Sequence, residues 1–255
     1  MRDARSPFSL QGRSALVTGG ASGIGRAIAV ALARAGAGVG VTVNTQPAHE
    51  TRAAVESTGA RFHELRADLA RPDAAVRAVG EMAEVFGGLD ILVNNAGIIR
   101  RAAAVDVSDE DWRAVLDVDL DAVWRLSRLA GRAMLARGRG KIVNIASLLS
   151  FQGGVRVPAY TASKHAVLGL TRALANEWAA GGVNVNAIAP GYIATANTAP
   201  LRADETRSRQ ILERIPAGRW GEPDDLGGAA VFLASSAADY VHGQVLAVDG
   251  GWLAR

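Results

Sequence analysis

The sequence predicts an α/β fold of three layers, with a doubly wound parallel sheet in a single domain spanning residues 1–255. Short runs rich in valine, isoleucine and alanine recur along the chain, and such continuous apolar runs read as strands buried on both faces. Between them lie longer stretches with apolar residues at helical spacing, the alternation expected when helices cover both sides of a parallel sheet. The composition agrees: 255 residues at 49% hydrophobic and 21% charged suffice for one substantial core.

The strand candidates, in order, are residues 15–17, 38–43, 91–93, 142–145, 183–188 and 245–248, with residues 61–65 a weaker, alternating one. The first runs into a glycine-rich turn and then a helix over 24–35, where Ile24, Ile28, Ala31, Leu32 and Ala35 share a face. Residues 142–145 end at Ser147, and a helix containing Tyr160 and Lys164 follows. Residues 192–220 are polar, punctuated by Ala199-Pro200 and Ile215-Pro216, and longer than an ordinary connection. A segment of that kind is expected to act as a lid, with a short helix near 207–214. The sequence shows no internal repeat, low-complexity tract or long linker.

Composition excludes several function classes. There is no cysteine, hence no disulfide framework and no thiolate chemistry, which permits a cytoplasmic setting and removes the best metal ligands; no metal site is expected. The charged opening Met1-Arg2-Asp3-Ala4-Arg5-Ser6-Pro7 is not followed by an apolar signal-peptide core, and no run is long enough to span a bilayer. A pI of 9.8 reflects only a net charge of +3 carried mostly by arginine. The bases are scattered among acids, so neither nucleic acid nor membrane is an expected partner.

The chemistry concentrates around one of only two lysines in the chain. Lys164 stands four residues after Tyr160, a spacing that puts a phenol and a compact ammonium on one helix face. A free tyrosine, with a pKa of about 10, is a poor acid or base at neutral pH. Moving such a group to about 7 requires roughly 4 kcal/mol of extra phenolate stabilisation, which a neighbouring cation can supply. Ser147, at the end of a strand thirteen residues earlier, can converge with that phenol on one carbonyl oxygen. The turn Thr18-Gly19-Gly20-Ala21-Ser22-Gly23-Ile24-Gly25 lies between strand and helix, where glycines admit a pyrophosphate close to backbone N–H groups.

With these motifs in order, the chain resembles the short-chain dehydrogenase/reductase family over nearly its whole length. The resemblance rests on residues 18–25, on Asn94-Asn95-Ala96-Gly97, on Ser147, Tyr160 and Lys164, and on Pro190-Gly191. It implies a Rossmann-like fold, a nicotinamide cofactor and hydride transfer at a carbonyl or alcohol carbon. Tyr160 would be the acid/base, and Lys164 would hold the ribose hydroxyls while favouring the phenolate. Cofactor roles are implied for Gly19, Ser22, Gly23, Ile24 and Gly25, for Asp68 and Leu69 beside the adenine, for Asn95, Ala96 and Gly97, and for Pro190, Gly191, Ile193 and Thr195. The turn or capping roles open to Asp68 and the other loop residues remain alternatives.

Two positions depart from the usual pattern. Where the family carries asparagine, on the helix after the Asn-Asn-Ala-Gly strand, this chain has Asp119. Ionised, it would accept hydrogen bonds in a proton relay but partly neutralise Lys164, moving the activity optimum to higher pH. At the end of the second strand, where NAD-preferring sites place an acid, the chain has Val43-Asn44-Thr45-Gln46. No carboxylate repels a 2′-phosphate there and no arginine immediately follows to clamp one, so the expectation is NAD(P), with Asn44 compatible with either form.

Within the family, the chain resembles the sugar-acid dehydrogenases of the 2-dehydro-3-deoxy-D-gluconate 5-dehydrogenase and gluconate 5-dehydrogenase kind. The segments that carry this are residues 94–101, 150–158, 201–205 and the tail 249–255. An acidic, hydroxyl-rich substrate suits a guanidinium fork and amide donors, which Arg156, Gln152 and Arg101 can offer. A reductase for 3-oxoacyl thioesters, and a dinucleotide-binding sensor without turnover, are the competing readings. The family also implies a homotetramer built on the helices at 112–135 and 160–180, with Trp124 and Trp178 as interface or core anchors.

Overall fold

The computed structural model describes residues 6–255; the charged opening at 1–5 lies outside the described residues. Seven strands form one parallel sheet: β1 (Ser14–Val17), β2 (Gly38–Val43), β3 (Phe62–Arg66), β4 (Ile91–Asn94), β5 (Gly140–Ile145), β6 (Val183–Pro190) and β7 (Val245–Val248). Their order is β3-β2-β1-β4-β5-β6-β7, and every pairing is parallel. The expected strands are all present, each shifted or lengthened by no more than a few residues.

The helices that cover the sheet include α1 (Gly23–Arg34), α2 (His49–Glu56), α3 (Pro72–Phe86), α4 (Asp109–Leu116), α5 (Ala122–Ala136) and α6 (Pro158–Trp178). Beyond β6 come α7 (Ala199–Ala203), α8 (Glu205–Leu212) and α9 (Gly227–Ala234). One apolar core packs Ile28 and Leu32 of α1 and Leu233 of α9 against β1 and β2. The other packs Met82 of α3, Leu126 and Met134 of α5, and Leu174 of α6 against Leu16, Leu92 and Val185. Trp178 belongs to this second core, its ring lying where a side chain on Gly131 would stand.

Strand order reverses direction between β1 and β4. In such sheets the crevice beyond the carboxyl ends of the strands at this reversal is where ligands bind. The turn after β1 and the Asn94–Gly97 stretch after β4 both open there, and the segments after β5 and β6 leave the same edge.

Candidate active site

The glycine-rich turn is held open by its neighbours. Gly19 has φ +65° and Gly23 φ +54°, a region that L side chains rarely occupy. A Cβ on Gly25 would stand 2.3 Å from the Gly19 carbonyl oxygen and 2.5 Å from Asn95 Nδ2, so that position accepts glycine alone. Thr42 Oγ1 accepts from Gly19 N at 3.1 Å, and Thr51 Oγ1 donates to the Gly20 carbonyl at 2.8 Å. Ser22 is the N-cap of α1 and makes no side-chain cap, which leaves the first N–H groups of the helix facing the crevice. The uncapped N–H donors of this helix N-terminus fit a dinucleotide pyrophosphate.

Opposite the turn, Asn95 Nδ2 donates to the Thr18 carbonyl at 2.8 Å, while Thr18 Oγ1 accepts from both Asn95 N and Ala96 N at 2.9 Å. Thr18 therefore locks the loop after β4 onto the loop after β1, a role the sequence reading did not assign. Asn44 is exposed at the end of β2. Asp68 is exposed as well; its Oδ1 accepts from Ala70 N at 3.2 Å, and since Arg71 caps α3, Asp68 is a turn residue and not the helix cap considered for it. Leu69 is buried.

Lys164 sits on α6 with its side chain buried. Its Nζ donates to the Ile145 carbonyl at 2.9 Å and lies 5.4 Å from the Tyr160 ring centroid. The ammonium is thus fixed beneath the phenol by the last carbonyl of β5. Ser147 opens a short 3₁₀ turn, Leu148–Ser150, and its Oγ accepts from Leu149 N at 3.1 Å. Ser150, another unforeseen residue, donates from Oγ to the Lys164 carbonyl at 2.7 Å and lies 3.3 Å from Ser147 N as its acceptor. The serine loop and the tyrosine helix are stitched together by this hydroxyl.

Below them runs a chain of buried polar groups. Asn94 Nδ2 donates to Asn144 Oδ1 at 2.8 Å and lies 3.1 Å from Ser127 Oγ; Asn144 Nδ2 donates to Thr171 Oγ1 at 2.9 Å, which donates to the Val167 carbonyl at 2.7 Å. It ties β4, β5, α5 and α6 through their interiors. Asparagines inside otherwise apolar strands are the signal that could have revealed it, because buried amides require partners.

Asp119 stands behind Lys164. It lies in a π-helical turn, Asp117–Asp121, between α4 and α5, and such bulges occur often at functional sites. The residue is wholly buried; Oδ1 accepts from Ile98 N at 2.7 Å, and Oδ2 stands 3.7 Å from Lys164 Nζ with no hydrogen-bond partner. Burial pushes its carboxyl above the ordinary value, with Lys164 and the Ile98 N–H pulling the other way.

The expected substrate residues are placed unequally. Arg156 is exposed, at the strained φ of +63°, in the loop before Tyr160, and its carbonyl accepts from Ala102 N at 3.1 Å. Arg101 is not left wholly free: its Nη2 donates to the Asn197 carbonyl at 3.2 Å. Gln152 Oε1 accepts from Trp252 Nε1 at 3.0 Å. Gly191 needs its small size, since a Cβ there would stand 2.5 Å from the Asp249 Cα. Ile193 is buried and bridges Gly221, while Thr195 caps the turn at Ala196–Thr198.

Residues 192–220 leave and rejoin the body at a narrow root. Gly221 N donates to the Tyr192 carbonyl at 2.9 Å and Ala194 N to the Gly221 carbonyl at 2.7 Å. The guanidinium of Arg219 then forks onto Asp225 at 2.7 and 3.0 Å. The expected short helix is α8, two residues earlier than foreseen at each end.

Comparison with known proteins agrees with this geometry. Residues 19–253 match a family described as enoyl-(acyl carrier protein) reductase. A 2-dehydro-3-deoxy-D-gluconate 5-dehydrogenase of Bacillus subtilis (strain 168) is 60% identical over 97% of both chains, and a gluconate 5-dehydrogenase of Gluconobacter oxydans (strain 621H) is 42% identical over 96% of both. Among solved structures, a gluconate 5-dehydrogenase from Burkholderia cenocepacia J2315, in complex with NADP and tartrate, superposes with a TM-score of 0.90 at 40% identity, covering 98% of both chains. A protein from Agrobacterium tumefaciens with bound NADP superposes at 0.93 with 58% identity, covering 98% of this chain and all of that one. With its catalytic motifs in register and its full length matched by such relatives, the chain belongs to the short-chain dehydrogenase/reductase family.

Proposed function

We propose that the chain is an NAD(P)-dependent dehydrogenase that interconverts a secondary alcohol and a ketone on a sugar acid of the gluconate or 2-dehydro-3-deoxy-gluconate type. The observation that carries the reaction is the Tyr160–Lys164 pair, with the ammonium seated on the Ile145 carbonyl beside Ser147. The substrate class is supported by the relatives that bear those names at 60% and 42% identity, and by the tartrate, a dihydroxy diacid, held by the Burkholderia enzyme.

When bound, the nicotinamide supplies or accepts the hydride. The turn at 19–25 holds the pyrophosphate, Asn95, Ala96 and Gly97 border the ribose, and Asn44, Asp68 and Leu69 border the adenosine. Pro190, Gly191, Ile193 and Thr195 border the nicotinamide end. Tyr160 takes the hydroxyl proton as the alcohol is oxidised and returns it on reduction, while Ser147 hydrogen-bonds the same oxygen. Lys164 stabilises the phenolate and is available to the ribose hydroxyls. Asp119 tunes that ammonium from behind. Arg156 binds the substrate carboxylate, and residues 192–220 close over it as a lid whose backbone Arg101 grips.

The chain assembles as a cytoplasmic homotetramer in this reading. Trp112 on α4 and Trp124 on α5, 37% and 42% exposed, are apolar surface that such contacts would cover. Among the described residues no helix is long and apolar enough to cross a membrane.

A spectrophotometric screen of oxidised and reduced NAD and NADP against hexonates, 2-dehydro-3-deoxy-hexonates and 3-oxoacyl thioesters tests the proposal. Turnover of an acid in the first two classes, with little on thioesters, is expected. Preference for the thioesters transfers the chain to acyl reduction, and cofactor binding without turnover of any of them makes it a sensor.

A further inference from the structure

Trp252 lies close to the C-terminus, far along the chain from the catalytic residues, yet only 4% of it is exposed. It packs with Leu148, Ile211 and Ile215 and stands 4.7 Å from the Tyr192 ring, with the Arg214 guanidinium 4.0 Å over its own. Leu148 follows Ser147 directly, Tyr192 follows Gly191, and Ile211 belongs to α8. One indole therefore touches the serine turn, the loop after β6 and the helix of the lid.

Its N–H does something that packing alone would not ask of it. The indole nitrogen donates to Gln152 Oε1 at 3.0 Å, and Gln152 N donates to the Leu148 carbonyl at 3.1 Å. An indole nitrogen can only donate, whereas a primary amide has one accepting end and one donating end. A flipped Gln152 amide would set donor against donor. The contact consequently determines the amide's direction: oxygen toward Trp252, NH₂ away from it. Among the described residues the one side-chain hydrogen bond of Gln152 is this one, through Oε1, which leaves the Nε2 donors for solvent or a ligand.

We propose that Trp252 is a positioning residue for substrate, holding Gln152 Oε1 so that Gln152, anchored to the turn that follows Ser147, presents only donors to the substrate. Donors alone select acceptor oxygens, which a sugar acid offers in its carboxylate, ketone and hydroxyl groups. The choice of ligand rests on the function proposed above; the direction of the amide does not. Packing could be served by any large aromatic ring, and phenylalanine separates the two roles because it keeps the ring and removes the N–H.

The test compares wild type with Trp252→Phe, Gln152→Ala and the double variant. Trp252→Phe is expected to raise KM for the sugar acid about tenfold, the loss of roughly one hydrogen bond to a charged or polar oxygen, with kcat changed less than about threefold. NADPH affinity by fluorescence titration and the melting temperature should stay near wild type. In the Gln152→Ala background, Trp252→Phe should add almost nothing. Gln152→Glu, which keeps an acceptor for the indole but presents a second acceptor to the substrate, should raise KM further. An unchanged KM in Trp252→Phe, or an undiminished effect of it without Gln152, overturns the proposal. Should wild type turn over no sugar acid, the functional reading fails on its own. The amide direction is then decided by the Trp252 indole proton, slow to exchange with solvent in wild type and faster in Gln152→Ala if the assignment holds, equally fast in both if it does not.

Discussion

The wall of the site formed by β4, β5 and α6 is tied through its interior, while residues 192–220 rest on a thin apolar seam. In the first, Asn94, Asn144 and Thr171 form a fully buried hydrogen-bonded chain, and Ser150 fastens the serine turn to α6. In the second, α7 and α8 are mostly exposed and meet the body through Ile211, Ile215, Leu201 and Trp220 against Leu148, Tyr192 and Trp252. A cavity of about 210 Å³ lies beneath its root, between Tyr192, Ile215 and Asp249. Buried hydrogen-bonded networks fix geometry, and sparse seams open at low free energy. The difference teaches a division of labour under the function proposed above: the groups assigned to proton exchange stand on the tied wall, and the segment proposed as a lid rests on the thin seam.

The strongest way to break this contrast is to remove the cation from the fixed wall. Lys164→Ala should lower kcat by about 10³-fold, within the range of general acid–base effects, and weaken cofactor binding in a fluorescence titration. A loss confined to cofactor affinity would detach the lysine from the chemistry. Next, Asn144→Ala leaves the Asn94 and Thr171 side chains without their shared partner in the interior. Losing those bonds should cost about 2–4 kcal/mol, read as a lowered Tm and denaturation midpoint. Unaltered stability would mean the chain fixes nothing.

The seam predicts the opposite pattern. Ile211 is buried in the seam; if residues 192–220 act as the proposed lid, Ile211→Ala should raise KM for substrate about fivefold to tenfold while moving Tm little, because a loosened seam opens without unfolding the sheet. A full core penalty of about 2–5 kcal/mol in global stability would contradict that.

The smallest effect concerns Asp119. Its carboxyl is raised above the ordinary value by burial, so its stabilising contribution is complete below the unfolded pKa of about 4 and is lost as pH rises through the folded value. The Tm difference between Asp119→Asn and wild type should therefore grow in favour of the variant from pH 4 to pH 8. The activity optimum of the variant should move to lower pH, since no carboxylate then competes with the phenolate for Lys164. Parallel Tm curves and superimposable pH–rate profiles would remove Asp119 from both accounts.

Much of this was legible in the sequence because local rules and the fold point the same way. Most of the strands are largely apolar runs, with β3 (Phe62–Arg66) the weaker, alternating exception, and Gly19, Gly23 and Gly25 stand where a strand must turn into a helix. Tyr160 and Lys164 are related by helical spacing alone. What escaped is long-range and polar: the clasp of Thr18 on Asn95 and Ala96, the Asn94–Asn144–Thr171 chain, the hydroxyl of Ser150, and Trp252 reaching Gln152. No periodicity records which hydroxyl meets which amide across the sheet. Asp119 was found by its departure from a pattern, but its burial depends on the π-helical turn, which spacing does not announce.

The central claim is that the Tyr160 hydroxyl, held over a fixed ammonium, carries the proton that accompanies hydride transfer. Steady-state turnover of Tyr160→Phe with its best sugar acid, alongside a titration showing cofactor still bound, tests it most directly. A fall in kcat of about 10³-fold or more with near-normal cofactor affinity is the result predicted; turnover within a few fold of wild type would contradict the account.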